Sequence, residues 1–186
     1  MLAHTSSCGS AAFIGPDGEL LGVQRKLHAA LQEKNYYMNG HSIEVFPSRL
    51  GTIGINICYD TRFPEVARVQ ALRGSEIIVS VWASATRPGL LPSVGVAQAF
   101  AARAMENLVY FLSCNRSGRE GDRIFTGRSA VVAPSGQIIA LSDTADEEVV
   151  RAVLLDSEIR SQRTFLTVYR DRRPELYKLI GESSVE

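Results

Sequence analysis

Between residues 51 and 115 the chain alternates between two kinds of segment. GTIGINICY, SEIIVSVWAS and LVYFLSCN are short apolar runs rich in β-branched and aromatic residues, the length and composition of buried strands. Between them lie EVARVQALR and the Ala-rich VAQAFAARAMEN, which have helix length and few breakers. The first helix has its punctuation in place: Asp60 or Thr61 as cap, Pro64 in the first turn and Gly74 after the last. Strands interleaved with helices restrict the chain to an α/β architecture.

The flanks add hairpins, so pairing is expected to be mixed rather than purely parallel. SAAFIGPDGELLGVQRK reads as two strands around Pro16-Asp17-Gly18, and RSAVVAPSGQIIALS as two more around Pro134-Ser135-Gly136. SIEVFPS is a further strand, and so is EEVVRAVLLD. Residues 27–42 read as a loop with a short helix, and TRPGLLPSVG and residues 116–124 as loops. The C-terminal SEIRSQRTFLTVYRDRRPELYKLI reads as a short helix, an extended tail and a final amphipathic turn.

At 186 residues the chain reads as a single domain, residues 1–186. Twenty Lys and Arg balance twenty Asp and Glu, which argues against a nucleic-acid or membrane-surface partner. No apolar run approaches the roughly 18 residues of a bilayer span. The N-terminal MLAHTSSCGSAAF lacks the basic region and continuous apolar core of a signal peptide, so a cytoplasmic location is expected. Cys8, Cys58 and Cys114 form neither a disulfide framework nor a CxxC pair, and His4, His28 and His41 are scattered; no metal is expected.

Cys58 stands where the chain changes character. Alternation over residues 52–58 puts Ile53, Ile55 and Ile57 on one face and Thr52, Gly54, Asn56 and Cys58 on the other. The cysteine therefore ends its strand on the small, polar face, just before a turn and a helix. That is where α/β proteins gather side chains and free N–H groups around ligands. A free cysteine is also a common core residue, and position alone does not decide between the two readings. Lys26 ends another strand and Glu33 follows in a polar loop. A nearby cation favours the thiolate, the reactive form. Local pattern equally allows Lys26 to be a solvated strand-end lysine.

Longer stretches narrow the choice. RKLH, GINICYDTRFPEVAR, RAMENLVYFLSCNRSG and FTGRSAVVAPSGQIIA resemble successive motifs of the carbon–nitrogen hydrolase (nitrilase) superfamily, in the family's order and at similar spacing. The closing RDRRPELY resembles its amidase-like branches, and the resemblance runs from about Ser10 to Tyr177. It implies an αββα sandwich with Cys58 as nucleophile, attacking an amide, carbamoyl or nitrile carbon to form a thioester or thioimidate. It places the Lys26 ammonium and the Tyr59 backbone N–H at the developing oxyanion. Glu33 matches the glutamate that orients the lysine. Trp82 and Ala83 fall in the substrate pocket, and Trp82 alone would otherwise read as a half-buried core aromatic. Arg62 and Glu65 resemble ion-paired supporting positions, and Glu106 and Asn107 a hydrogen-bonded brace beneath the site. Cys114 is expected in the core. Asn39 departs from the family, which commonly has proline there. Residues 83–93 are the expected contributors to the pocket; Arg87 reads as a surface arginine, with a substrate carboxylate as its other reading. The resemblance further implies a small amide-type substrate, no metal, no organic cofactor, and homodimers or larger homo-oligomers.

The family's general base is a glutamate well upstream of the lysine. The sole glutamate before Lys26 is Glu19, which follows the Pro16-Asp17-Gly18 turn and is not expected to serve. The fold is therefore expected to be N-terminally incomplete. Three explanations stand open: a fragment of an ordinary hydrolase, a short paralogue that binds or assembles without turnover, or a base supplied by a second chain.

Overall fold

The structure is a computed structural model of the chain and describes residues 7–86 and 96–182. At its centre β4 (Gly51–Ile57), β5 (Ile77–Trp82) and β7 (Tyr110–Asn115) lie side by side and parallel. The crossovers between them contain α1 (Pro64–Leu72) and α2 (Val96–Asn107). β3 (Val45–Ser48) pairs antiparallel with β4 on one flank. β10 (Ala130–Val132) and β11 (Ile138–Leu141) complete the other flank, antiparallel, giving a six-stranded mixed sheet in the order β11-β10-β7-β5-β4-β3.

Both faces of the central strands are covered, which is why their sequences are apolar without a break. On one face Ile78 and Phe111 pack with Ala67 and Ala71 of α1 and Phe100 and Ala104 of α2. On the other, Ile53, Ile55, Ile77 and Tyr110 join Phe46 and Ile159. Ile77 and Ile78, and likewise Tyr110 and Phe111, serve opposite faces as neighbours in a strand must. Each such fully buried side chain is worth about 1.5–3 kcal/mol, whereas a nine-residue helix such as α1 is marginal alone in water. Packing on the sheet holds the helices.

The second face is covered by the hairpin of β1 (Ser10–Ile14) and β2 (Leu20–Arg25), whose Phe13 stacks on Phe46 at 5.2 Å, and by α3 (Asp156–Phe165), which delivers Ile159. Gly18 (φ +81°) makes the hairpin turn.

The structure corrects several sequence expectations. Neither Asp60 nor Thr61 caps α1: both lie within a 3-10 turn, Cys58–Arg62, and the cap position is Phe63 with no side-chain bond. Pro64 opens the helix and Gly74 (φ +94°) follows its end, as expected. Residues 116–124 are not all loop, because β8 (Ser117–Glu120) and β9 (Arg123–Thr126) pair with each other, and β9 with β6 (Ala85–Thr86). Their side chains are mostly polar and exposed, so no apolar alternation marks them. EEVVRAVLLD is not a strand. Leu155 N–H donates to the Tyr110 hydroxyl at 2.9 Å, and Val149 and Val153 are exposed. Cys114 is exposed rather than in the core. It sits on the hairpin face beside Val81, also exposed, at the carboxyl ends of the strands. Most of TRPGLLPSVG, with Arg87, lies outside the described residues.

Candidate active site

The carboxyl ends of β2 and β4 converge on one cavity of about 390 Å³. Lys26, Glu33, Cys58, Trp82 and Ala83 all line it, with Gly9, Ala29, Tyr37, Met38, Ile57 and Val81. Residues as far apart in sequence as Gly9 and Ala83 thus meet at one place, three of them with the chemistry of a nucleophile, a cation and a carboxylate.

Cys58 is the first residue of the 3-10 turn that follows β4, with φ +49°. That is the left-handed region, which non-glycine residues seldom occupy. The turn, not strand alternation, therefore aims the thiol. Tyr59 follows within the first turn, where an N–H has no carbonyl of the same helix to bond.

Lys26 is fixed through its backbone. Its N–H donates to the Gly9 carbonyl and its carbonyl accepts from Gly40 N–H, both at 2.7 Å. Its side chain is nearly buried, and the ammonium pairs with Glu33 Oε2. Glu33 is held from a second direction, by the Ala30 N–H at 2.8 Å. Burial pushes the Glu33 carboxyl up, but the Lys26 hydrogen bond, the Ala30 N–H and the lysine's charge together outweigh it, so its pKa lies below the ordinary carboxylate value. Asn39, at the position where the family commonly has proline, accepts the Ala29 N–H at 2.8 Å and so ties down the segment that leads to Glu33.

Trp82 is half-buried and meets Phe100 edge-on (5.5 Å, 65°), while its Nε1 is buried with no hydrogen-bond partner. Arg62, the last residue of the 3-10 turn, and Glu65, in the first turn of α1, are exposed, and among the described residues no ion pair joins them, contrary to expectation. Glu106 Oε1 instead accepts from Arg103 Nη1 at 2.9 Å. Asn107 donates to the Arg103 carbonyl at 2.9 Å, and Arg103 Nε reaches the Thr61 carbonyl at 3.2 Å. Arg103 is thus the member of this group that touches the nucleophile turn. Glu19 lies in the β1–β2 turn with its carboxylate on Asp17 N–H (3.1 Å), away from the cavity lining.

Sequence reasoning missed His28 and Asp60. Both stand in the quoted motifs, but Asp60 was read as a helix cap and His28 as one of three scattered histidines. The Asp60 carboxylate is buried and accepts from both segments that carry Lys26 and Cys58. The His28 ring lies flat on Phe63, 3.7 Å between centroids. Among the described residues no group of three or more His, Cys, Asp or Glu side chains could hold a metal ion.

Residues 8–164 match the family model of the carbon-nitrogen hydrolases. N-carbamoylputrescine amidase of Oryza sativa subsp. japonica is 35% identical over 202 residues, covering 98% of this chain and 67% of that protein. Of solved structures, the carbon-nitrogen hydrolase of Helicobacter pylori G27 superposes with a TM-score of 0.91 at 25% identity, over 98% of this chain and 69% of that one. A variant of the amidase of Nesterenkonia sp. AN1, which carries the acetamide moiety of fluoroacetamide covalently on its active-site cysteine, superposes with a TM-score of 0.75 at 26% identity, over 91% and 60% of the two chains. The chain therefore spans about two thirds of the length of the proteins it matches. The match to the family model and the α/β arrangement of the sheet and its helices agree: this chain belongs to the carbon–nitrogen hydrolase family.

Proposed function

We propose that Cys58 is the nucleophile of a hydrolase acting on non-peptide carbon–nitrogen bonds, with amides and carbamoyl compounds as its substrate class. One observation carries this reading: Cys58 and the Glu33-paired Lys26 line the same cavity. The thiolate attacks the carbonyl carbon, a C–S bond forms, and the π electrons move to oxygen. The Lys26 ammonium and the Tyr59 N–H stabilise that oxyanion. Its collapse breaks the C–N bond, the nitrogen takes a proton from solvent and leaves as the amine, and water then hydrolyses the thioester to the carboxylic acid, returning the Cys58 thiol. Glu33 holds the ammonium in place. Trp82, Ala83 and the apolar residues around them shape the substrate pocket, and Arg103, with Glu106 and Asn107, supports the nucleophile turn. The amidase relative with its cysteine adduct supports the same assignment.

A preformed Cys58 thiolate attacks without a proton acceptor, whereas the water that hydrolyses the thioester must give up a proton. Glu33 is engaged with Lys26, and Glu19 is held in the hairpin turn. Acylation is therefore expected to outrun hydrolysis of the thioester in this polypeptide. The test is intact-mass spectrometry of the chain after incubation with simple amides, carbamoyl compounds and nitriles. The expected result is a persistent adduct that Cys58→Ala abolishes. An adduct that survives the substitution refutes the nucleophile assignment. Neither adduct nor product, from a folded sample, would favour a non-catalytic binding or assembly module instead. The reading extends to a homodimer or larger homo-oligomer, supported by Phe165, Leu176, Leu179 and Ile180 standing exposed along the C-terminal segment.

A further inference from the structure

We propose that Asp60 is a positioning residue that sets the placement of the Lys26 ammonium relative to the Cys58 thiol; the inference rests on the reading of those two residues as a working pair. Asp60 is 1% exposed. Its Oδ2 accepts the Leu27 N–H at 3.3 Å and the Ile57 N–H at 3.2 Å. Leu27 adjoins Lys26 and Ile57 adjoins Cys58, so a single oxygen joins the two chain segments next to the two functional residues. Its Oδ1 accepts the His28 N–H and the His28 ring, each at 2.9 Å. An ionised carboxylate only accepts, so the facing Nδ1 carries the hydrogen.

This is more than the local hydrogen bonding of a turn. A carboxylate serving only the 3-10 turn would bond within a few residues, as the Ile57 contact does. Three of the four contacts of Asp60 reach back 32 or 33 positions to the segment after Lys26. Among the described residues no arginine or lysine pairs with it; its charge is met by N–H dipoles and an imidazole whose ring is held flat against Phe63. The lysine itself is anchored by Gly9 and Gly40 on its own side of the cavity, but those contacts leave its distance from β4 open. Asp60 closes that distance.

The test reads the Cys58 thiol directly, by iodoacetamide alkylation against pH in the full chain carrying Cys8→Ser and Cys114→Ser. Among the described residues Lys26 and Glu33 are the charged side chains lining the cavity. Asp60→Asn keeps the shape but sets an amide N–H₂ against backbone N–H donors. We expect alkylation at pH 7 to slow roughly tenfold and its pH midpoint to rise, as an ill-placed cation favours the thiolate less. We expect this effect to vanish in a Lys26→Met background, where no ammonium remains to be placed. A wild-type rate and midpoint in Asp60→Asn overturns the proposal. So does a slowing of the same size with and without Lys26, which marks a purely structural role. Should Asp60→Asn fail to fold, His28→Phe carries the test. It keeps a ring on Phe63 and removes the ring donor to Oδ1 while the backbone N–H remains, and a slowing of about two- to threefold, again lost without Lys26, is expected; no change overturns the proposal. Alkylation does not depend on amide turnover. A chain with the Lys26-dependent profile that forms no adduct with any amide refutes the hydrolase reading while supporting the positioning one.

Discussion

Glu33 is pulled in opposite directions. Burial favours its neutral form, while the Lys26 ammonium and the Ala30 N–H favour the charged one and prevail. A carboxylate whose folded pKa is depressed stabilises the fold above its ordinary value of about 4.5, and that contribution disappears as pH falls through the lower folded value. Glu33→Gln is therefore expected to lower the urea midpoint at pH 7 and to make no difference once the pH is below the folded pKa. The side chain is 40% exposed, so solvent screening keeps the effect to at most about 1 kcal/mol. Urea titrations of both forms at pH 7 and pH 3 check it; an undiminished difference at pH 3 would contradict the ion-pair account. Lys26 and Cys58 could be read from the sequence because they stand in stretches that resemble family motifs, and Glu33 because it matches the glutamate that the resemblance implies. Their partners could not. Asp60 looks like an ordinary helix cap from its position before Pro64, and only folding brings residues 27 and 28 to it.

Elements are held here by contacts at their ends and seams. The last carbonyls of α2 and the residue after it are taken by side chains from elsewhere: Glu106 by Arg68, Asn107 by the Tyr169 hydroxyl, and Leu108 by Arg163. Two arginines at a helix C-terminus also suit its dipole. At the seam of β4 and α1, Gly54 leaves room for Gln70, whose Nε2 donates to the Ile55 carbonyl at 3.0 Å. A Cβ at residue 54 would stand 2.8 Å from Gln70 Cδ and 3.1 Å from Ser75 Oγ. Gly54→Ala is expected to displace Gln70 and to cost about 1–3 kcal/mol, measured by chemical denaturation. A neutral substitution would mean that the seam is looser than this packing. The strands β4, β5 and β7 and the helices between them were legible because burial on both faces leaves an unbroken apolar run. β8 and β9 were not legible, because an exposed ribbon of polar residues carries no such imprint. The segment 147–156 misled in the other direction: its valines and leucines read as a strand, yet it is tied down through the Tyr110 hydroxyl and no ladder forms.

At the scale of the whole molecule, the C-terminal segment leaves Phe165 84% and Leu176 65% exposed beside Leu179 and Ile180. Sedimentation velocity is expected to show a dimer or larger species that Phe165→Asp with Leu179→Asp shifts to a monomer; a monomer before substitution would refute the interface. The sequence by itself determined the α/β class, the two crossovers and the residue types of the site, because buried faces and special chemistry both leave composition and spacing behind. Tertiary structure alone decided that the ends of β2 and β4 share one cavity, that Arg103 of α2 reaches the nucleophile turn, and that Asp60 joins the lysine and cysteine segments. Those are distances between residues tens of positions apart, and they exist only once the sheet has packed and the loops have closed over its edge.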